Sequence, residues 1–289
     1  MNTSKRLVLG TVQFGLPYGI NNQTGLLPEA EVYEILNRAA IMGIETLDTA
    51  AAYGEAERRI GSYHQKHDKG FKIISKFSKN SEDNWALSLN RSLGKLKLER
   101  LETIMFHSFD AYQENKDNLK DIINTKDKLY KKLGVSVYTN REVMALKDED
   151  EVDVIQLPFN MLDNEQQRGQ KLRELKETGK EIHTRSCFLQ GLFFMDEKNL
   201  PGNLKPLKPY LEQIKNLALD YNLEKGHLAM QYVVNKEYVD AVLFGVDSVK
   251  QLEQNIYWAE NMIPEAILNE IDNIKVKDPF LLNPSEWQI

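Results

Sequence analysis

Short apolar runs alternate with longer amphipathic stretches from one end of the chain to the other. Eight of the runs have the length and the aliphatic content of buried strands. They cover residues 7–10, 44–47, 71–75, 103–106, 134–138, 152–157, 181–185 and 241–244. Because every run is bounded by polar or turn-forming residues, each is predicted to be one strand of a buried sheet.

Helical spacing follows each predicted strand. Pro28 opens the first helix, and Val32 and Ile35 fall on its apolar face. Residues 81–84 are expected to cap a helix that reaches residue 98, and Ser248 to cap the helix after the eighth strand. The other predicted helices cover residues 29–42, 55–67, 114–132, 140 onward, 164–178, 210–221, 223–235 and 264–274.

Eight strands that alternate with helices predict an α/β protein with a (β/α)8 TIM barrel, a single domain over residues 1–289. A long segment intrudes after the seventh strand, at residues 186–209, and residues 278–289 are expected to be irregular. The alternative is a doubly wound open sheet. Residues 10–15 argue against it, because they lack the Gly-x-Gly-x-x-Gly spacing of a dinucleotide-binding turn.

Composition narrows the function classes. The net charge is −6 with both signs interspersed, so no basic surface for nucleic acid or membrane is predicted. No apolar run approaches the roughly 18 residues of a membrane span, and residues 1–6 do not resemble a signal peptide. The single cysteine, Cys187, fits a reducing cytoplasm. The five histidines form no metal-ligand spacing, so no metal site is predicted.

Four polar residues lie where the second, third and fourth strands end. Asp48, Lys76 and His107 close these strands, and Tyr53 follows five residues after Asp48. The carboxyl ends of barrel strands face one pocket, so these side chains are expected to converge. Taken singly, they could instead cap a turn, pack in the core, reach solvent or bond a backbone carbonyl. A tyrosine with an ordinary pKa of about 10 needs a nearby cation to act as an acid near neutral pH, which suggests a Tyr–Lys–carboxylate set.

The motifs at residues 48–54, 74–76 and 105–107 resemble those of the aldo-keto reductase superfamily. The likeness begins at residues 9–15, continues through 134–136 and 156–162, and ends at 245–255. It implies a (β/α)8 barrel and reversible NAD(P)H-dependent reduction of aldehydes and ketones.

The resemblance also implies roles for the four residues. Tyr53 would protonate the carbonyl oxygen, Lys76 would lower the pKa of Tyr53, and Asp48 would hold Lys76 by a charge-assisted hydrogen bond. His107 would orient and polarise the carbonyl. Such a donor pair acts as an oxyanion hole, because hydride transfer builds negative charge on that oxygen.

Cofactor contacts are implied along the later strands. Ser136 and Gln156 match positions that hold the nicotinamide carboxamide, although Val137 stands where many relatives have Asn. Arg185 falls where relatives commonly place a tyrosine that stacks on the nicotinamide ring. Arg185 could stack there, bind a substrate anion or form a structural ion pair. The remaining implied contacts are Gly10, Thr11, Asp48, Ser186, Phe188, Leu189, Gly191, Gly245, Val246, Asp247, Ser248, Gln251 and Asn255.

NADP(H) is the cofactor that the resemblance favours, with NAD(H) as the alternative. Gln251 occupies the usual position of an arginine that grips the 2′-phosphate, and only Lys250 is nearby. The first loop, residues 13–25, is rich in amides and favours a hydroxylated or sugar-like carbonyl substrate. The expected partner is thus a small carbonyl compound, bound by a monomer or weak oligomer.

Two other function classes remain open at this point. A nicotinamide-sensing protein with little turnover would not need Tyr53. A lyase, aldolase or hydrolase on the same barrel would want a metal site or a pair of carboxylates, and the sequence contains no pattern for either.

Overall fold

Eight parallel strands form a closed barrel in sequence order, which confirms the predicted fold. The structure is a computed structural model that describes residues 3–67, 70–77 and 84–287. The strands are β1 (Leu7–Gly10), β2 (Thr46–Asp48), β3 (Lys72–Phe77), β4 (Leu101–Phe106), β5 (Tyr130–Ser136), β6 (Val154–Pro158), β7 (Glu181–Arg185) and β8 (Ala241–Phe244).

Amphipathic helices surround the barrel and bury one face each against it. In the first helix the predicted apolar face is buried, with Val32, Ile35, Leu36 and Ala39 all at 1% exposure or less. The helices are α1 (Glu29–Ile41), α2 (Ala56–His64), α3 (Trp85–Leu96), α4 (Phe109–Glu114), α5 (Leu119–Ile123), α6 (Asn140–Ala145), α7 (Glu165–Lys176), α8 (Lys208–Asp220), α9 (Lys225–Val234), α10 (Val249–Glu260) and α11 (Glu265–Ile271).

Side-chain alternation along the strands separates an apolar layer from a polar one. A buried apolar cluster contains Val8, Ile74, Met105, Val154, Ala241 and Leu243. Successive side chains of a strand point to opposite faces, so the residue two positions further on points the same way. That rule places Gly10, Lys76, His107 and Gln156 directly beyond this cluster, towards the carboxyl ends of the strands.

One predicted helix and two predicted irregular segments differ from the structure. The helix predicted over residues 114–132 is wrong: α4 ends at Glu114, a 3₁₀ turn (Lys116–Asn118) and the short α5 follow, and β5 already begins at Tyr130. Ser108 caps α4 through the backbone amide of Ala111, so this helix begins earlier than its sequence pattern suggests.

The segment after β7 is more ordered than an irregular loop. It contains three 3₁₀ helices, Leu189–Phe194, Glu197–Asn199 and Gly202–Leu207, and buries Leu192, Phe193 and Leu204. The tail likewise forms two 3₁₀ turns, Pro279–Leu282 and Pro284–Glu286, and its last two residues lie outside the described residues.

Helix caps match the sequence where they can be compared. Asn84 caps α3 through the amide of Leu87 and Ser248 caps α10 through that of Gln251, whereas the predicted capping residues 81–83 lie outside the described residues. None of the helices in the described part of the chain is both long and apolar enough to cross a membrane.

Candidate active site

A cavity of about 710 Å³ lies over the carboxyl ends of the barrel strands. All eight strands, or the residue that directly follows them, contribute to its wall. These contributions are Gly10, Asp48, Lys76, His107, Ser136, Gln156, Arg185 and Phe244. The structure therefore brings the four candidate catalytic residues, including Tyr53, into one cavity.

Asp48 and Lys76 form a buried ion pair in this cavity. Their side chains are 5% and 2% exposed, and Nζ of Lys76 donates to Oδ1 of Asp48 and to the carbonyl of Thr49, the latter at 3.1 Å. The side-chain amide of Gln156 donates to the other carboxylate oxygen of Asp48 at 2.9 Å. Both charges are held by fixed partners, which a buried pair requires.

Tyr53 and His107 face each other beside this pair. Their ring centroids are 5.9 Å apart in an edge-to-face arrangement, and Nζ of Lys76 lies 5.5 Å from the centre of the Tyr53 ring. Gly15 lets the Tyr53 loop approach closely, because a Cβ at Gly15 would lie 1.8 Å from the Tyr53 carbonyl. Phenol and imidazole thus border the same space as the ammonium.

The pKa of Tyr53 is raised in the structure, whereas the resemblance implied that Lys76 would lower it. Burial raises the pKa of Tyr53 above its ordinary value, the negative charge of Asp48 raises it further, and Arg185 lowers it. Lys76 donates to Asp48, and burial lowers the pKa of Lys76. Without substrate or cofactor, Tyr53 therefore keeps its proton throughout the neutral range, as a general acid must.

His107 is held in its neutral form. Burial lowers the pKa of His107 to about 4, the Lys76 ammonium contributes to the decrease, and Asp48 opposes it. A neutral imidazole can donate one hydrogen bond to a carbonyl oxygen without placing a second buried cation beside Lys76.

The lowered pKa of His107 predicts an acid-sensitive contribution to stability. Between pH 6.5 and about 4 the unfolded state binds a proton that the folded state rejects, so the free energy of unfolding falls as the pH falls. The effect is at most about 3 kcal/mol. Chemical denaturation across this pH range should show a shallower decline for His107→Gln than for wild type. Parallel curves would contradict a neutral, buried His107.

Strands β5 to β7 supply a second group of polar side chains. Ser136 lines the cavity next to Gln156, its partner in the β5–β6 register. The guanidinium of Arg185 packs 4.2 Å from the centre of the Tyr138 ring and donates to the carbonyl of Val137 at 3.3 Å. No carboxylate oxygen in the described part of the chain lies within 4.0 Å of this guanidinium, so the interpretation of Arg185 as a structural ion pair is wrong there.

The end of β8 carries one carboxylate. Asp247 lines the cavity, accepts a hydrogen bond from the side chain of Asn22 at 3.4 Å, and has its own backbone amide bound by Gln251 at 2.8 Å. Burial raises the pKa of Asp247, and Gln251 opposes this shift. Asn255 also lines this part of the cavity.

Most predicted cofactor contacts line the cavity, and three do not. Leu189 and Val246 are buried at 0% and 1% exposure and pack in the core, and the hydroxyl of Ser248 caps α10. Each is next in the chain to a residue that lines the cavity, but its own side chain packs in the core or caps a helix. Those that do line it are Gly10, Thr11, Asp48, Ser136, Gln156, Arg185, Ser186, Phe188, Gly191, Gly245, Asp247, Gln251 and Asn255.

Several lining residues were not singled out from the sequence. Gln190 donates to the hydroxyl of Tyr18 at 2.9 Å, which joins the first loop to the segment after β7. Phe194 and Trp258, which were also not singled out, form an aromatic cluster with the predicted Phe188, with centroid distances of 5.4–6.3 Å. Phe188 and Phe194 after β7 could have suggested an aromatic patch from the sequence. Their partner Trp258 on α10 could not have been found in this way, because it lies about seventy residues further along the chain.

Among the described residues, no group of three or more His, Cys, Asp or Glu side chains is placed so that it could hold a metal ion. The buried Lys–carboxylate pair, the protonated tyrosine and the neutral histidine place acid–base groups around one cavity at the carboxyl end of the barrel, as in an enzyme that transfers a proton.

The comparison with known families agrees with this class of protein. The aldo/keto reductase family profile matches residues 6–276, and the chain belongs to that family of NAD(P)H-dependent oxidoreductases. Among curated protein sequences, none matches this chain.

Solved structures show the same fold. An aldo-keto reductase from Bacillus halodurans in its holo form is 17% identical, with a TM-score of 0.71, and the match covers 94% of this chain and 93% of that one. A glycerol dehydrogenase from Gluconobacter oxydans is 17% identical, with a TM-score of 0.73, over 93% and 90% of the two chains.

Proposed function

We propose that this protein reduces the carbonyl group of a small aldehyde or ketone to an alcohol with a nicotinamide cofactor. The observation that carries the proposal is the convergence of Tyr53, His107 and the Asp48–Lys76 pair on one cavity. A protein that only sensed the cofactor would have no use for a protonated tyrosine beside a neutral histidine.

The cavity suits a nicotinamide cofactor. Its volume of about 710 Å³ lies within the usual range for ligand sites. Oε1 of Gln13 is buried without a hydrogen-bond partner among the described residues, and this side chain packs on Gly245, where a Cβ would lie 2.6 Å from Nε2. Ser136 and Gln156 would hold the carboxamide, and the residues at the end of β8 would hold the adenosine end. When bound, the cofactor supplies the hydride.

The protein's own groups supply the proton and the orientation. The Tyr53 hydroxyl donates its proton to the carbonyl oxygen, while the neutral imidazole of His107 donates a hydrogen bond to the same atom. Lys76 stabilises the resulting phenolate, which is otherwise disfavoured by burial. Asp48 keeps Lys76 in place, and Gln156 keeps Asp48 in place.

The transfer of a label tests this proposal. The protein is incubated with cofactor deuterated at the transferable position and with an aldehyde, and the product is analysed by mass spectrometry. An alcohol that carries one deuterium at the carbinol carbon supports the reductase. Cofactor that binds with its label retained, for neutral, hydroxylated and carboxylated aldehydes alike, supports the alternative of a regulatory sensor.

The charges at the end of β8 favour NAD(H), although the family resemblance favours NADP(H). Among the described residues that line the cavity, the cations are Lys76 and Arg185, both near Tyr53, and the group at the β8 end is the carboxylate of Asp247. A 2′-phosphate beside Asp247 would meet like-charge repulsion instead of a cation.

This charge arrangement predicts the cofactor preference. NADH is expected to bind at least about tenfold more tightly than NADPH near pH 8, where Asp247 is ionised, and Asp247→Asn is expected to strengthen NADPH binding selectively. Fluorescence titration measures both Kd values. Glu253→Gln is the matched control, because Glu253 lies on α10 but pairs with Arg38 outside the cavity lining. Tighter binding of NADPH by wild type would contradict the preference.

Polar groups on the first loop support a hydroxylated or sugar-like substrate. Tyr18, Asn21 and Asn22 line the cavity together with Gln190. Burial raises the pKa of Tyr18 to about 12, so its hydroxyl remains a hydrogen-bond donor at neutral pH. Hydroxyl groups of a substrate would find both donors and acceptors here.

A further inference from the structure

Arg185 is a cation in the cavity that the proposed chemistry does not use. It ends β7, and its backbone is fixed because its carbonyl accepts from the amide of Phe159 at 3.1 Å. Its guanidinium lies 4.2 Å from the centre of the Tyr138 ring, and within the described part of the chain it has one hydrogen bond, the 3.3 Å contact with the carbonyl of Val137. A guanidinium carries five N–H donors, so most of them are available to a ligand.

The carboxylates that could neutralise Arg185 are already occupied. Asp163 is bound by Arg168 through two hydrogen bonds of 2.6 Å, and Asp48 is bound by Lys76 and Gln156. A half-buried guanidinium with no counterion among the described residues is energetically costly. An anionic group on a bound ligand would neutralise Arg185 and offset this cost.

The residue that supports Arg185 is anchored through its backbone. Arg168 is 7% exposed and donates to the backbone carbonyl of Tyr138 at 2.6 Å, so the buried Arg168–Asp163 pair holds the chain at Tyr138 in place. A planar guanidinium with a fixed orientation suits a planar carboxylate, which it can bind through two parallel hydrogen bonds.

Arg185 lies at the end of the cavity that contains Tyr53 and His107. Arg185 pairs with Pro158 in the β6–β7 register, two residues beyond Gln156, whose amide donates to Asp48, and its field lowers the pKa of Tyr53 and of His107. The anion is therefore expected close to the carbonyl that is reduced, and not at the adenosine end.

We propose that Arg185, supported by Tyr138, binds a carboxylate group of the substrate, so that the preferred substrates are aldehydes or ketones that carry a carboxylate. This inference rests on the proposed carbonyl reductase function. It assigns Arg185 to the substrate and not to the nicotinamide ring. Together with the polar first loop, it points to a hydroxylated carbonyl acid as the substrate class.

A matched pair of aldehydes tests the assignment. The wild type should reduce para-carboxybenzaldehyde with a kcat/KM at least about tenfold higher than para-cyanobenzaldehyde, which is similar in size and uncharged. Arg185→Gln should lower the ratio of the two kcat/KM values by about 10–100-fold, mainly through a higher KM for the carboxylated aldehyde. Arg185→Lys, which keeps the charge without the planar fork, should retain part of the preference.

Two controls keep the outcomes separate. Arg100→Gln removes the same charge next to the start of β4, outside the cavity lining, and should leave the preference unchanged. The Kd of NADH should be the same for Arg185→Gln and wild type, and a large increase would overturn the assignment by giving Arg185 to a phosphate of the cofactor. Equal reduction of both aldehydes by wild type would also overturn it. Reduction of neither aldehyde would contradict the proposed function itself.

Discussion

Tyr53→Phe is expected to lower kcat for carbonyl reduction by about 10²–10⁴-fold while the Kd for NADH stays unchanged. The substitution removes the hydroxyl that delivers the proton and keeps the ring that packs at 5.9 Å from His107. Stopped-flow measurement of cofactor oxidation gives the rate, and fluorescence titration gives the Kd.

The control for this prediction is Tyr257→Phe. Tyr257 lies on α10, is 55% exposed and does not line the cavity, so it should retain the wild-type rate. A Tyr53→Phe variant that reduces aldehydes at the wild-type rate would show that another group, or water, is the acid.

Asp48→Asn is expected to abolish measurable turnover and to lower the free energy of unfolding by about 3–5 kcal/mol. The substitution leaves Lys76, only 2% exposed, without its counterion. The destabilisation should shrink as the pH rises, because burial lowers the pKa of Lys76 and the unfolded state then binds more protons over the alkaline range. Urea denaturation at a series of pH values measures the effect.

Asp163→Asn separates the stability effect from the catalytic one. Asp163 is similarly buried and is likewise paired with a cation, Arg168, but it is not part of the cavity wall. It should cost a similar free energy of unfolding, while turnover of an uncharged aldehyde, which does not depend on the Arg185 site, is largely kept. If Asp48→Asn remained as stable as wild type at neutral pH, the ion pair would not be the structural support of the site.

The sequence predicted the site well where the spacing along a strand determines which way a side chain points. The strand period of two places Lys76 and His107 beyond the apolar cluster of the barrel, and motif positions alone predicted their convergence with Asp48 and Tyr53. The failure over residues 114–132 has a local cause as well. Many of these residues are helix formers, but polar residues interrupt the helix near Asn115 and the chain turns at Asp127, which has a φ of 66°.

Contacts between distant segments could not be predicted. Gln156 reaches Asp48 across 108 positions, and Gln190 reaches Tyr18 across 172. The pairing of Arg185 with Tyr138, and the absence of a carboxylate beside it in the described residues, likewise depend on how β5 and β7 are placed around the barrel. Sequence spacing leaves these relationships open, because many side-chain arrangements satisfy the same strand pattern.

A single-turnover reaction tests directly whether this protein reduces a carbonyl group with Tyr53 as the acid. Protein saturated with NADH or NADPH is mixed with equimolar aldehyde from a panel of neutral, hydroxylated and carboxylated compounds, and the alcohol is quantified. We expect wild type to convert at least one of them stoichiometrically, whereas Tyr53→Phe should convert none on the same time scale. Cofactor bound by wild type with no alcohol formed from any of the compounds would contradict it and would leave a cofactor-binding protein without reductase activity.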